Sequence, residues 1–440
     1  MRNIAISLFH LLAFFSCYSS TLLGANFFPL TVPDLIASIN AANVNVQDDV
    51  IDLGNLVFNL TAADNATDGA NGLPSILGDT GHELLIQNGT INRSAGIIRL
   101  IHLSGAASLS LNNVTLSNGI ANTAGLGSFG GAIFVSNTAT LELISNTTFT
   151  TNTSTAAGGA IGLDTAATIG SITLSLFTGN SSGAAGGAIS VVTGGSIVSI
   201  DNSTFADNQA AAAGGAISLT TGCSIGTISD STFSGNSAIA AGGGISVLTT
   251  STITAIINST FSGNTAGTNG GGIDVTTTGN IQKITNSTFT DNTATLVGGG
   301  INLLTTSTIT TLTSTIIANN SALSGPDVGD PTLTGIIAES FNLIGINTNS
   351  GLVAGNPNAN NSKVGTAASP INPGLGPLAN NGGPTQTHEI FITSPAFESG
   401  ANPDALAFDQ RGAGFLRVTG SQADIGAFEL QCAFGDYDLD

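Results

Sequence analysis

Apolar and small polar residues alternate along much of this chain. Between residues 130 and 320 the whole pattern recurs every 28 residues without insertion or deletion. After Gly214, Ile217 and Leu219 are separated by a serine and followed by threonines, the period-2 signature of a half-buried strand. Ser, Thr and Gly fill most of the remaining positions, and these weaken helices through competing backbone hydrogen bonds or excess backbone entropy. Two anchors mark the register. Glycine pairs open G-G-A-I or G-G-G-I at Gly130, Gly158, Gly186, Gly214, Gly242, Gly270 and Gly298. F-x-x-N begins at Phe149, Phe177, Phe205, Phe233, Phe261 and Phe289, and a further copy at Ile317 lacks the ring but keeps Asn320.

A fixed period of this length means stacked coils, each touching mainly its neighbours. The L-x-x-L-x-L-x-x-N core of a leucine-rich repeat is absent, and no apolar set persists at the spacing of an α-solenoid. The pattern therefore predicts an all-β fold, a parallel β-helix with one turn per 28 residues. Equivalent positions then lie about 4.8 Å apart, and seven coils span about 34 Å. The six Phe residues form an internal aromatic column, each ring contributing roughly 1.5–3 kcal/mol by burial. Asn152, Asn180, Asn208, Asn236, Asn264, Asn292 and Asn320 form a second column with the makings of an amide ladder. The glycine pairs suit a sharp turn that needs positive φ or close backbone approach.

The pattern also divides the chain. Residues 1–25 read as a secretory leader: Arg2, an apolar stretch over 4–15, then small residues up to Gly24 and Ala25. A lipoprotein reading would use Cys17, which the preceding Phe14 and Phe15 suit poorly. Residues 26–125 read as a cap, with a helix-like start at Pro33–Asn40, followed by irregular coils. Residues 126–320 are the regular repeats. Residues 321–430 begin with a Gly-, Pro- and Asn-rich transition up to 385 and regain charge beyond it. Residues 431–440 form an acidic tail.

Charge narrows the function. There are 27 acidic and 7 basic side chains, a formal charge of −20, yet only 8% of residues are charged. Acidity thus comes from a shortage of Lys and Arg, and no basic stripe exists to meet nucleic-acid phosphates. With 41% hydrophobic residues, disorder is excluded. No apolar run after the leader reaches the roughly 18 residues of a membrane span. Cys223 and Cys432 are the cysteines beyond the leader and indicate no disulfide framework.

G-G-A-I alternating with F-x-x-N resembles the repeat of the polymorphic outer-membrane protein family. The stretch from Leu35 to Asn43 is similar to the entry segment of such proteins. The resemblance implies a surface-exposed, right-handed β-helix passenger, often adhesive. Family members usually end in a membrane β-barrel, and no alternating strand set of that size follows residue 320. The tail resembles the choice-of-anchor Q domain instead, in the motifs starting at Leu378, Ser394, Asp409 and Asp424. At the end, Asp436, Asp438 and Asp440 resemble positions 1, 3 and 5 of a dockerin-type calcium loop. Its Gly at 6 and acid at 12 are missing, so calcium is expected only if the sequence is truncated there; otherwise this is an acidic tail.

Many β-helices cleave polysaccharides, and that chemistry needs paired carboxylates or a basic residue beside calcium. Lys283 is the one basic residue of the repeats, and Asp164, Asp201, Asp207, Asp230, Asp274 and Asp291 mostly occupy different columns. Asp207 and Asp291 share a column three coils apart, about 14 Å by strand spacing, against roughly 6.5–9.5 Å for an inverting acid pair. The adjacent columns of Asp201 or Asp207 and Asp230 keep the alternative open. All six acids are expected to be solvated turn residues. Asn146, Asn202, Asn258 and Asn286 match a glycosylation sequon but read as hydrogen-bonding turns. Arg411 beside Asp409 reads as a capping ion pair, small in effect if exposed, and His388 has no partner at metal spacing. The expectation is an exported, non-catalytic β-helix without metal or cofactor, found at the cell surface or outer membrane. Its role would be adhesion, attachment or envelope structure, toward a polysaccharide or protein ligand. The alternatives are a polysaccharide-active β-helix and a carbohydrate-binding module.

Overall fold

The computed structural model describes residues 24–78 and 81–431. Most of the leader-like segment with Cys17, and also Cys432, Asp436, Asp438 and Asp440, lie outside the described residues. The fold is an all-β parallel solenoid of about eleven turns. Each regular coil lays down four short strands. In the coil opened by Gly158 these are Ile161–Leu163, Thr168–Thr173, Leu176–Thr178 and Ser181–Ser182. They belong to a first, second, third and fourth ladder respectively. Every strand pairs in parallel with the residue one period on: Ile161 with Ile189, Ile169 with Ile197, Phe177 with Phe205, Ser182 with Ala210. A one-residue slip would turn every inward side chain outward, which is why the period tolerates no insertion.

The corners follow from residue type. Between the second and third ladders a single residue takes the left-handed conformation: Asn146 (φ 47°), Asn202 (47°), Asp230 (49°), Asn258 (51°) and Asn286 (46°). Asn and Asp tolerate that region better than other side chains. At the glycine corner Gly214 has φ 71°, and a Cβ on Gly215 would lie 2.1 Å from the Gly243 carbonyl oxygen. The first glycine supplies the backbone angle and the second the close approach.

Ile, Val, Leu and Phe fill the interior without solvent exposure. Successive rings from Phe149 to Phe289 stack with centroids 4.5–4.8 Å apart and planes 1–5° from parallel. Carbon surfaces touch at about 3.5–4 Å, so the rings are slipped sideways, the arrangement their quadrupoles favour. Beside them the asparagines form a saturated ladder. Asn208 donates from its backbone N and from Nδ2 to Asn236 Oδ1 at 3.1 and 2.9 Å, and its second Nδ2 proton goes to the Phe177 carbonyl at 2.9 Å. The ladder ends on a carboxylate. Asn320 donates to Asp327 Oδ1 at 3.1 and 2.9 Å, and Asp327 Oδ2 accepts from the Ile346 amide at 2.7 Å.

Both ends of the stack depart from the period. At the bottom, helix Val32–Ala42 starts from a Thr31–Asp34 capping box with Pro33 in its first turn, and it buries Leu35 and Ile39. The capping box satisfies amides that a helix start leaves unpaired. At the top, residues 321–364 add two shortened coils to the expected transition, pairing Ile316 with Leu343 and Leu343 with Lys363. Coiling continues there because the inward positions Ile344 and Val364 stay apolar and buried, although the spacing shrinks.

Candidate interaction surface

The filled interior leaves only outer faces for recognition. Phe149, Phe177, Phe205, Phe233, Phe261 and Phe289 are fully buried, as are Asn152, Asn180, Asn208, Asn236, Asn264 and Asn292, while Asn320 is 8% exposed. None of these can meet a ligand. The second ladder turns Thr254, Gln282 and Thr310 outward on successive rungs, all exposed. Beside them stand Thr252, Asn280 and Thr308, half-buried. This face is a grid of hydroxyls and amides at the rung spacing of about 4.8 Å.

The third ladder is divided by the tail. Residues 372–431 fold back as a strap over the coils from Asp230 to Ser314, touching them rung by rung. Gln410, fully buried, donates to Thr232 Oγ1 and Thr385 Oγ1 at 2.9 Å each, and accepts from Thr260 Oγ1 at 2.6 Å. One rung higher, Thr288 Oγ1 accepts from the Ala427 amide at 3.1 Å. Along the corner column Asn258 Nδ2 donates to the Phe408 carbonyl at 3.1 Å, and Asn286 Nδ2 to that of Ala401 at 2.8 Å. These two amides are thus consumed by the strap, whereas Asn146 of the same column is exposed. Below the strap the third-ladder face is half-buried, and Leu174 and Leu176 stand where Asn258 and Thr260 stand above. A leucine cannot complete the Gln410 network, so this one bare coil differs from the clasped ones, while its neighbours keep Thr148 and Thr204.

The strap carries its own ionic core, and the Arg411–Asp409 ion pair read from the sequence is buried within it. Arg411 is 6% exposed. Its guanidinium bonds both Asp409 oxygens, Nε at 3.2 and 3.1 Å and Nη2 at 2.6 Å, and lies between the Phe415 and Phe428 rings at 4.0 and 3.7 Å. A buried, bidentate, ring-sandwiched pair is a strong contact. Arg417, also buried, reaches Glu429 at 3.3 Å and the Gly426 carbonyl at 2.9 Å. Burial still prevails at Glu429 and pushes its carboxyl up to about 7, against the pull of Arg417. His388 contacts Ser262 Oγ at 2.9 Å and the Gly376 carbonyl at 2.7 Å, and so fastens the strap. Neither Gln410 nor the threonines under it stood out in the sequence. Thr232, Thr260 and Thr288 read like the uncovered Thr148 and Thr204, and only the charged motifs around Asp409 and Asp424 hinted at a buried segment.

The acids separate into two groups. Asp207 and Asp291 occupy left-handed turns (φ 57° and 59°). Asp274 is not solvated, contrary to expectation, whereas Asp230 keeps its turn position (φ 49°) but is half-buried. Asp230 accepts from Asn258 Nδ2 at 3.0 Å, its carbonyl accepts from Thr385 at 2.9 Å, and burial with Asp201 and Asp409 nearby pushes it up to about 7. Asp201, one rung lower, accepts from Ser229 Oγ at 2.8 Å and Asn202 Nδ2 at 2.7 Å. The two acids are neighbours, but the strap covers Asp230. Asp274 lies within strand Ile273–Val275, 1% exposed.

A Ser–His–Asp grouping also occurs near the N-terminal end. Ser75 Oγ is 2.8 Å from His102 Nδ1, and His102 Nε2 is 3.3 Å from Asp68. The ring is wholly buried and stacked on Phe134 at 5.7 Å. Burial, with Arg99 beside it, lowers its pKa to about 4. A base that weak does not activate a serine near neutral pH, and the group pins the 64–71 loop instead. Among the described residues no group of three or more His, Cys, Asp or Glu could hold a metal, and Cys223 is a buried free thiol.

No curated protein and no solved structure matches the chain. Among the described residues no helix is long and apolar enough to cross a membrane. Residues 175–192, 202–220 and 258–276 match the Chlamydia polymorphic membrane protein repeat. Each match opens just before a phenylalanine of the aromatic column and closes at the first ladder of the next coil. The coils that carry the two internal columns are therefore similar to the repeats of Chlamydia polymorphic membrane proteins.

Proposed function

We propose that this chain is an exported, non-catalytic repeat protein of a bacterial cell surface or outer membrane, serving attachment through the outer faces of its coils. The observation that carries this reading is the repeat match placed on coils whose interior is filled. A side-chain-packed solenoid offers long, regular outer faces for recognition. The ligand that suits the exposed grid of threonines, asparagine and glutamine is polar and extended, a polysaccharide or an extended polypeptide. The tail's resemblance to a choice-of-anchor Q segment supports a role for the strap near the point of attachment to the envelope.

Purified protein tested against a panel of polysaccharides and surface proteins, with binding and cleavage scored separately, decides the matter. Binding without cleavage is expected, weakened by Thr254→Arg with Gln282→Arg, which alter exposed positions and leave the core intact. Cleavage that disappears in Asp201→Asn or Asp230→Asn would instead establish a polysaccharide-active enzyme.

A further inference from the structure

Asp274 is a buried acid whose second oxygen has no partner. The side chains of Ile273 and Val275 point into the core, so Asp274 faces out of its strand. It is nevertheless 1% exposed, because the glycine turn of its own coil lies on it. A Cβ at Gly270 would come within 2.6 Å of Asp274 Cα and Cβ. Its rung neighbours are Ser246 below and Asn302 above, both fully buried. Asn302 Nδ2 donates to Asp274 Oδ1 at 2.7 Å, while Asp274 Oδ2 and Asn302 Oδ1 are left without partners. Carboxyl and carboxamide are both planar, two-pronged groups. With one prong of each joined, the remaining prongs are both acceptors and both buried.

We propose that Asp274 is held as a neutral carboxylic acid whose proton is donated from Oδ2 to Asn302 Oδ1, closing a two-bond acid–amide pair between adjacent coils. An ionised Asp274 would leave two buried acceptors without a donor, which costs the desolvation of both. A metal ion does not fit the same gap. Calcium takes about 6–8 oxygens, whereas Ser246 Oγ, Asp274 Oδ2 and Asn302 Oδ1 are the unpartnered oxygens on these three rungs. The turn rests directly on them. Burial pushes Asp274 up to about 7, opposed only by the Asn302 hydrogen bond, with no charged group contributing. The neighbours facing it are Ser246, Asn302 and the Gly270 turn. Because the folded value lies above the unfolded one, the proton is taken up on folding. Its stabilising effect is full below about pH 4 and is lost as pH rises to about 7. The stack thus contains a proton-dependent joint between the coils of Asp274 and Asn302.

Serine occupies this rung at 190, 218 and 246, so Asp274→Ser in the full chain retains the packing; Asp274→Asn provides a second comparison. The difference infrared spectrum, wild type minus variant, should contain a carboxylic-acid carbonyl band at pH 5 that gives way to a carboxylate band above pH 8. The folded-to-unfolded ratio of wild type relative to Asp274→Ser should fall by up to about tenfold per pH unit between roughly pH 4 and 7, then level off. A carboxylate band at pH 5, or a ratio that does not change with pH, overturns the proposal.

Discussion

Thr260 and Gln410 are 150 residues apart in sequence, yet the buried threonine hydroxyl donates directly to the glutamine carbonyl at 2.6 Å. The same carboxamide reaches Thr232 one rung below. A single side chain thereby spans two coils and fixes the strap in one register on the stack.

Gln410→Ala should loosen the strap without unfolding the coils. It leaves the hydroxyls of Thr232, Thr260 and Thr385 short of a partner, a cost of about 1–3 kcal/mol for a buried unsatisfied group. Limited proteolysis should then cut within residues 380–431 faster than in wild type, while the fragment carrying the repeats persists. Unchanged cleavage of the strap would mean that Gln410 does not hold it.

Phe233 sits in the middle of the ring column. Phe233→Ala should cost about 3–5 kcal/mol, as large-to-small changes in packed cores do. Ser234→Ala, on the adjoining outward position, should cost under about 0.5 kcal/mol. Denaturant unfolding of the two variants measures the contrast, and equal losses would remove the column from the account of stability.

Asn236→Ala interrupts the amide ladder. Asn208 loses the acceptor for both its backbone N–H and its Nδ2, and the Phe205 carbonyl loses its donor. Several buried groups are orphaned together, so a loss of about 3 kcal/mol or more is expected. Hydrogen exchange should show the loss first at Asn208, one coil below the substitution. Uniform exchange across the stack would argue that the ladder is not a chain of dependent bonds.

Glu429 gives the strap a pH dependence of definite sign. Its carboxyl is raised from its ordinary value to about 7, so its contribution is greatest below the ordinary glutamate value and declines as pH rises to about 7. Asp424 repels the ionised form and Arg417 attracts it. Proteolysis of the strap should be faster at pH 8 than at pH 5, and Glu429→Gln should flatten that difference. A strap that tightens toward alkaline pH would contradict the assignment.

Much of the fold was legible because it is periodic. Ile217, Leu219 and the Gly214 pair fix strand, inward face and corner within one repeat, and the period copies them along the stack. The strap is not periodic. The Thr260–Gln410 contact joins a repeated position to an unrepeated one, and nothing in residues 372–431 announces which coils they meet. The Arg411–Asp409 pair was legible but its burial was not, because Phe415 and Phe428, which enclose it, are apolar residues with no spacing signal. Asp274 was misread for a different reason. The alternation of Ile273 and Val275 already placed it in a strand, but acids are so often solvated that its type outweighed its position.

The asparagine ladder has a direction. Every carboxamide from Asn152 to Asn320 presents its oxygen to the coil below and one Nδ2 proton to the coil above, the second proton going to a backbone carbonyl. The individual dipoles therefore add along the axis instead of cancelling, as peptide dipoles do in a helix. The positive end of this array meets the carboxyl of Asp327, an acceptor that asks for no further donor in return. A polar array of this kind can be lengthened or shortened by whole 28-residue units without disturbing either terminus, since each added carboxamide restores the same donor and acceptor that it consumes. Below the strap, coil number is thus free to vary by duplication or loss, provided the acid that terminates the array stays in place.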